Sequence, residues 1–452
     1  MTNPTGDTRS AQTDQRSTPQ PTSSRTLLLL FLSVFVDLIG FGVIAPLLPF
    51  IAERFGASPL GVTLLFSLYS LMQLIFTPLW GSLSDRVGRR PILLLCYLGS
   101  AIAYVFFAIA PTLWLVFAAR GLAGMMGSSI AVTKAYIADV TTPENRAKGM
   151  GIIGAAFGCG FMIGPALGGV LAGSADNPNF QLPLLVAAGL SLAAFTFALI
   201  ALPESLPHVA KGKAASGLFQ DEAGDKAGNA SNGAVGNRQP FRLSTLTQVL
   251  APGQVRRLIS ILFIFSMGTI GVQSVLVLWC ERQFQWGPRP LGFLFMFYGL
   301  IAATIQGGLT GKLTKRFREN KLLTSGIALQ GFGLFLVPFS TTLGLLMAST
   351  SMWIIGEAIC RPAINSLLSQ SAPPERQGIT LGVAQSFTSL SSICGPIVAG
   401  TIFTFYGGMW SFWTSTGLMG VAVMLSLAVK RPRQLQATSP QAILGREKER
   451  WE

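Results

Sequence analysis

Gly81-Ser82-Leu83-Ser84-Asp85-Arg86-Val87-Gly88-Arg89-Arg90 lies between two long apolar runs, residues 60–80 and 91–110. Three arginines and an aspartate crowd into a turn of a few residues. A connection that short makes the flanking helices antiparallel neighbours. Positive charge packed beside two apolar runs marks the side of a membrane on which Lys and Arg are retained. Gly81 and Gly88, near its two ends, allow close backbone approach or positive φ. The stretch reads as a tight basic turn between two membrane helices.

The rest of the chain agrees. Half of its 452 residues are hydrophobic and only 12% are charged, about half the charge of a soluble protein. Runs of about 20 apolar residues cross the hydrocarbon core. Twelve are expected, near 26–51, 60–83, 91–110, 112–139, 148–173, 181–202, 257–280, 290–312, 321–340, 342–370, 377–404 and 409–430. The fold class is an all-α polytopic membrane protein embedded in the lipid bilayer. The formal net charge of +14 then implies no nucleic acid, because the basic residues sit in short loops where they set topology. Cys96, Cys159, Cys280, Cys360 and Cys394 fall in or at the ends of spans without metal or disulfide spacing. The single histidine, His208, lies in a polar loop. With no assembled nucleophile, metal site or phosphate loop, an enzyme is not expected.

Residues 1–25 have the composition of a disordered tail without the apolar core of a signal peptide. Residues 26–202 form a first set of six spans and 257–430 a second, followed by a tail over 431–452. Between the sets, 203–256 is polar and centred on a Gly/Asn/Ser-rich segment of linker composition. With the amino terminus inside, outer loops carry only Arg54, Arg282 and Arg289 as basic residues. That bias fixes both termini in the cytoplasm. The two sets read as repeats. Gly164-Pro165 and Gly169 recur 231 positions later as Gly395-Pro396 and Gly400, and Gly81-x-Leu83 recurs at an offset of 230 as Gly311-x-Leu313.

Charges inside spans are costly and face an aqueous cavity or a partner. Asp37 is roughly 16 Å deep and Arg120 about 12 Å below the outer face, so they lie at similar depth. The pair is either a fixed structural ion pair or a proton switch, in which the carboxylate depends on the neighbouring arginine. Lys134 follows Arg120 on the same helix and either lines the cavity or snorkels to the inner surface. Glu357 and Arg361 stand four apart, as a self-neutralised pair or with Glu357 as a second protonatable acid. Gln73, Gln273, Gln306, Gln330 and Gln385 line the cavity or bond helix to helix. In the fifth span Gly154, Gly158, Gly164, Gly168 and Gly169 make a small-residue face for close packing, and Pro165 should bend the helix.

The pattern G-x-L-x-D-R-x-G-R-R at 81–90 resembles the loop signature of the major facilitator superfamily. Asp37 with its Gly/Pro pattern resembles the first-span motif of the proton-coupled drug antiporters. Arg120-Gly121 resembles their fourth-span arginine motif, and Gly154 to Gly169 their fifth-span antiporter signature. Val36 to Pro49 is most similar to the tetracycline-efflux branch. The resemblance implies two pseudo-symmetric six-helix halves with the substrate site between them near the midplane. It implies export of a small amphipathic, tetracycline-like compound in exchange for protons, with the proton gradient as energy source and no cofactor. It assigns proton coupling to Asp37 and Arg120. Gly81, Asp85, Arg86, Gly88, Arg89 and Arg90 become a cytoplasmic gate, in which Arg89 pairs with Asp139 and Asp85 faces the amino end of the eleventh helix. A monomer in the plasma (inner) membrane is expected. A nutrient symporter and a non-transporting sensor are the other readings of the same fold.

Overall fold

The computed structural model describes residues 24–142, 145–173, 178–205, 249–309, 313, 316–373 and 376–429. The amino-terminal tail, His208 and most of the linker, the repeat positions Gly311 and Lys315, and the carboxy-terminal tail lie outside the described residues. The described residues hold twelve helical segments long and apolar enough to cross a membrane. They are α1 (Ser24–Ile44), α2 (Pro59–Val87), α3 (Arg89–Ala108), α4 (Leu113–Met126 and Ser129–Val140), α5 (Arg146–Ala172) and α6 (Gln181–Ala201). The second set is α7 (Gly253–Phe284), α8 (Pro288–Thr304, extended by a π turn at Ile305–Leu309), α9 (Glu319–Leu336), α10 (Leu343–Ser371), α11 (Gln377–Tyr406) and α12 (Gly408–Leu427).

Three boundaries differ from the sequence reading. The first span stops at Ile44, and a short helix, Leu48–Arg54, follows a turn. Pro46 explains it, because its ring has no N–H to donate and disfavours helix in the residue before it. The basic stretch is not a turn. α2 stays helical to Val87, and Gly88 alone joins it to α3. The fourth span is broken at Gly127-Ser128. There Gln73 Nε2 on α2 donates to the Gly127 carbonyl at 3.1 Å, and a Cβ at Gly127 would collide with the Tyr69 hydroxyl. α5, by contrast, runs through Pro165 without interruption.

Most packing lies within each set of six. α1 packs on α5 and α6, and its counterpart α7 packs on α11 and α12. The repeat spacing acts through this packing. Gly164 lies against the backbone of Ile39 and Gly42 on α1, and its counterpart Gly395 lies against Met267 and Gly271 on α7. The second pair of repeated glycines joins the sets. Gly169 on α5 abuts Pro288 and Gly292 of α8, and Gly400 on α11 abuts Thr63 of α2. The two seams, α5 with α8 and α2 with α11, are thus related by the repeat.

Both seams are tight at one end only. Near the end away from Gly88, Leu60 N donates to Thr404 Oγ1 at 3.0 Å and Ser67 Oγ to the Ile393 carbonyl at 2.8 Å. Toward the Gly88 end, a Cβ added at Gly81, Gly154, Gly158, Gly307, Gly308, Gly378 or Gly382 would meet nothing within 4 Å. The bundle is closed at the far end and parted at the Gly88 end. Overpacking the closed seam should reverse that preference. Gly292→Val forces two methyl groups onto the Pro165 backbone, and at about 1–3 kcal/mol of strain should lower the closed-to-open ratio roughly tenfold. Gly158→Ala should leave it unchanged. Spin-label distances across the far end check both.

Candidate functional site

Asp37 sits thirteen residues into α1, on the side that packs against α6. Gly40, three residues on, lets the Ala187 carbonyl come within 3.1 Å of where a Cβ would stand. At that approach Ser191 Oγ donates to Asp37 Oδ1 at 3.0 Å. Arg120 is elsewhere. It faces α2 and Phe41 of α1, 2% exposed, with its guanidinium carbon 4.4 Å from the centre of the Tyr69 ring, 5.7 Å from Phe41 and 5.9 Å from Phe66. Its Nε has no hydrogen-bond partner among the described residues. The expected Asp37–Arg120 contact is therefore not made. Depth fixed only height, and packing turned the two groups to different neighbours. Phe41 follows Asp37 by four residues on α1, so the arginine is caged about one helical turn away. Aromatic faces attract a cation, which makes the cage a workable resting place without an anion.

On the second set, Arg361 Nε and Nη2 both reach Glu357 Oε1 at 2.9 Å. Gln273 Nε2 on α7 donates to Glu357 Oε2 at 3.3 Å. The four-residue spacing delivers the self-paired geometry, tied to a second helix. Lys134 is exposed on the second piece of α4. Because α4 breaks before it, Lys134 does not share one continuous helix with Arg120. Gln330, buried, donates to Thr269 Oγ1 at 2.6 Å, so Gln73, Gln273 and Gln330 all join helix to helix. Gln306 and Gln385 are exposed.

At the Gly88 junction the buried Arg89 gathers the first set. Its Nε donates to Asp139 Oδ2 on α4 at 2.9 Å, and its Nη1 to Ser84 Oγ at 2.7 Å. Nη1 also meets Asp85 Oδ1 at 2.5 Å. The Arg89–Asp139 pairing is as expected. Arg90 donates to the Leu199 carbonyl on α6. Gly88 has φ 120° and ψ 155°, a region open to glycine almost alone. Gly81 makes no comparable demand.

Gly154 and Gly158 take no part in packing here. The fifth-span glycines divide into two faces: Gly160, Gly164 and Gly168 lie on α1, whereas Gly169 and the Pro165 carbonyl meet α8. Gly154 and Gly158 continue the second face into open space.

The sequence profile of the Major Facilitator Superfamily matches residues 30–329 and 258–448. The chain is 31% identical over 399 residues to the class G tetracycline resistance protein of Vibrio anguillarum, covering 85% of this chain and 92% of that protein. It is 31% identical over 432 residues to the class C tetracycline resistance protein of Escherichia coli, covering 92% and 99%. The chain belongs to the major facilitator superfamily. It is a transporter and an integral membrane protein, related to the tetracycline efflux proteins, and the family's members are not enzymes. Solved structures share the fold. A bacterial homologue of the human lysosomal transporter Spinster superposes with a TM-score of 0.75 at 15% identity, covering 93% of this chain and 99% of that one. Human MFSD10, described as an organic anion transporter, gives 0.63 at 24%, covering 90% and 100%.

Two parts of this superfamily site were missed in the sequence. The aromatic cage was readable only in part, since Phe66 and Tyr69 are three apart on one face of α2. Glu204, just past α6, was not readable. Its Oε1 accepts from Arg89 N at 2.9 Å and from Ser205 N at 3.0 Å, and its carboxylate fills the space a Cβ would need at Gly88. A carboxylate at a helix amino end satisfies an orphan donor and the helix dipole. Of the two signature glycines only Gly88 is fixed by geometry. Gly88→Ala should cost about 1–3 kcal/mol and lower the melting temperature of the purified protein, whereas Gly81→Ala should leave it unchanged.

Proposed function

We propose that this chain is a proton-driven antiporter that exports a small amphipathic, tetracycline-like compound by alternating access. The observation that carries the reading is Asp37, a carboxyl within the first span whose hydrogen-bond partner is a hydroxyl and not a cation. A carboxyl so placed changes the charge facing the cavity when it gains or loses a proton. The tetracycline resistance proteins it is related to supply the substrate class. The concentration of basic residues on the Gly88 side supports placing both termini in the cytoplasm, with the chain in the plasma (inner) membrane. The parted end then opens to the cytoplasm, where substrate enters. The carrier works as a monomer.

In the exchange, substrate reaches the space between the two sets of helices while the far seams are shut. Parting those seams releases it outside, where a proton loads Asp37 and resets the carrier. Arg120, caged one turn from Asp37, supplies a positive charge that a small helix shift brings closer to the carboxylate. Glu357, already held by Arg361, acts chiefly in shaping the cavity. Asp85 and Arg89 form the gate, with Asp85 reaching the amino end of α11, where the helix dipole favours an anion, once the cytoplasmic end closes.

Two measurements test this. In a drug-susceptibility panel that includes tetracycline, cells expressing the wild type should survive at least one compound at higher dose than empty cells. Asp37→Asn should remove that advantage while substrate binding to the purified protein stays intact. Wild-type cells as sensitive as empty ones across the panel would sink the export reading. In proteoliposomes, Asp85→Asn should slow transport with little change in substrate affinity, and equal loss of both would argue against a gate.

A further inference from the structure

The far end carries a second group of ionisable side chains, and it crosses between the two sets of helices. Glu53 closes the short helix after α1, and Glu281 and Arg282 lie at the end of α7. Arg282 Nη2 meets Glu53 Oε1 at 3.5 Å and lies 4.8 Å over the ring of Phe403 on α11. The Glu281 carboxyl hydrogen-bonds that of Glu53, while its Oε2 is buried without a partner. Between them opens a cavity of about 640 Å³, lined by both carboxyls with Arg54, Phe50, Phe180 and Trp286. Arg289 heads α8 beside the same seam.

Two carboxyls in hydrogen-bonding contact share one proton, because two like charges so close are strongly unfavourable. Glu53 has Arg282 beside it, whereas Glu281 Oε2 is buried without a hydrogen-bond partner among the described residues, so the shared proton is assigned to Glu281. The contact joins an element that follows α1 to one that ends α7. Opening the far end must pull these elements apart and expose both carboxyls to water, where both ionise. We propose that Glu53 and Glu281 form a proton-dependent latch that holds the far, outer end of the carrier shut. The proton favours the closed state, so the latch is intact at low pH and is lost as pH rises. The cavity gives water, and hence protons, a way to it. External acid would then close the outer end after release, at a place separate from Asp37.

This inference rests on the alternating-access reading but not on any substrate, so it is tested on the substrate-free protein. Spin labels at Trp114→Cys and Phe405→Cys, both exposed at the far end, report its opening in lipid nanodiscs, with Cys159 and Cys394 replaced by Ser. From about pH 5 to about pH 9, the wild-type closed-to-open ratio should fall by up to tenfold per pH unit around its midpoint, as one linked proton requires. In an Asp37→Asn background, Glu281→Gln keeps a donor for Glu53 and should stay closed, changing less than about twofold over the same range. Glu53→Gln removes the acceptor charge and should also flatten the response. Asp37→Asn should keep it. A wild type insensitive to pH, a response retained when Glu281→Gln is combined with Asp37→Asn, or a response abolished by Asp37→Asn alone overturns the latch.

Discussion

The close approach of α5 to α1 is the contact on which the rest of the arrangement depends. Gly164 and Gly168 lie against the backbone at Ile39, Gly42 and Val43, which leaves no room for a side chain at either position. In lipid, where apolar burial gives no preference for helix over hydrocarbon, such backbone approach is what drives helices together. It fixes the position of α1, and with it Asp37. It also fixes the other face of α5, which meets α8 through Gly169 and the Pro165 carbonyl. One helix therefore carries the helix bearing Asp37 and one of the two seams between the sets.

Because α11 repeats α5, the same argument runs through the second set. Gly395 seats α11 on α7, and Gly400 presents α11 to α2. Two seams built from equivalent residues can open and close in concert, and here both are tight at the far end. Gly154, Gly158, Gly307, Gly308, Gly378 and Gly382 continue the small-residue faces into open space. Those positions hold the room that closure at the Gly88 end needs, and a larger side chain there would obstruct that closure without disturbing the present packing.

Much of this was legible in the sequence because it depends on local spacing. The twelve spans, the repeat and the Glu357–Arg361 pair each follow from residues a few positions apart or from a fixed offset. What was not legible depends on how helices are turned. Asp37 and Arg120 were placed at one depth, yet a depth counted in residues does not decide between neighbours one helical turn apart. Gly40 turns Asp37 toward Ser191, and Phe41, Phe66 and Tyr69 hold Arg120 apart from it. The break in α4 has no proline to announce it; it is set by Tyr69 and Gln73 of a neighbouring helix. Glu204 was invisible for the same reason, since it caps a backbone group 115 positions earlier.

The two in-span acids are not equivalent. Glu357 is neutralised on its own helix by Arg361 and held by Gln273. Among the described residues, Asp37 accepts its side-chain hydrogen bond from Ser191. A proton there removes a charge and leaves a hydroxyl contact that a neutral carboxyl still makes, because a hydroxyl can donate or accept. The repeat makes the scaffold symmetric, whereas the charges placed on it are not: the first set carries an acid held by a hydroxyl, and the second an acid paired on its own helix.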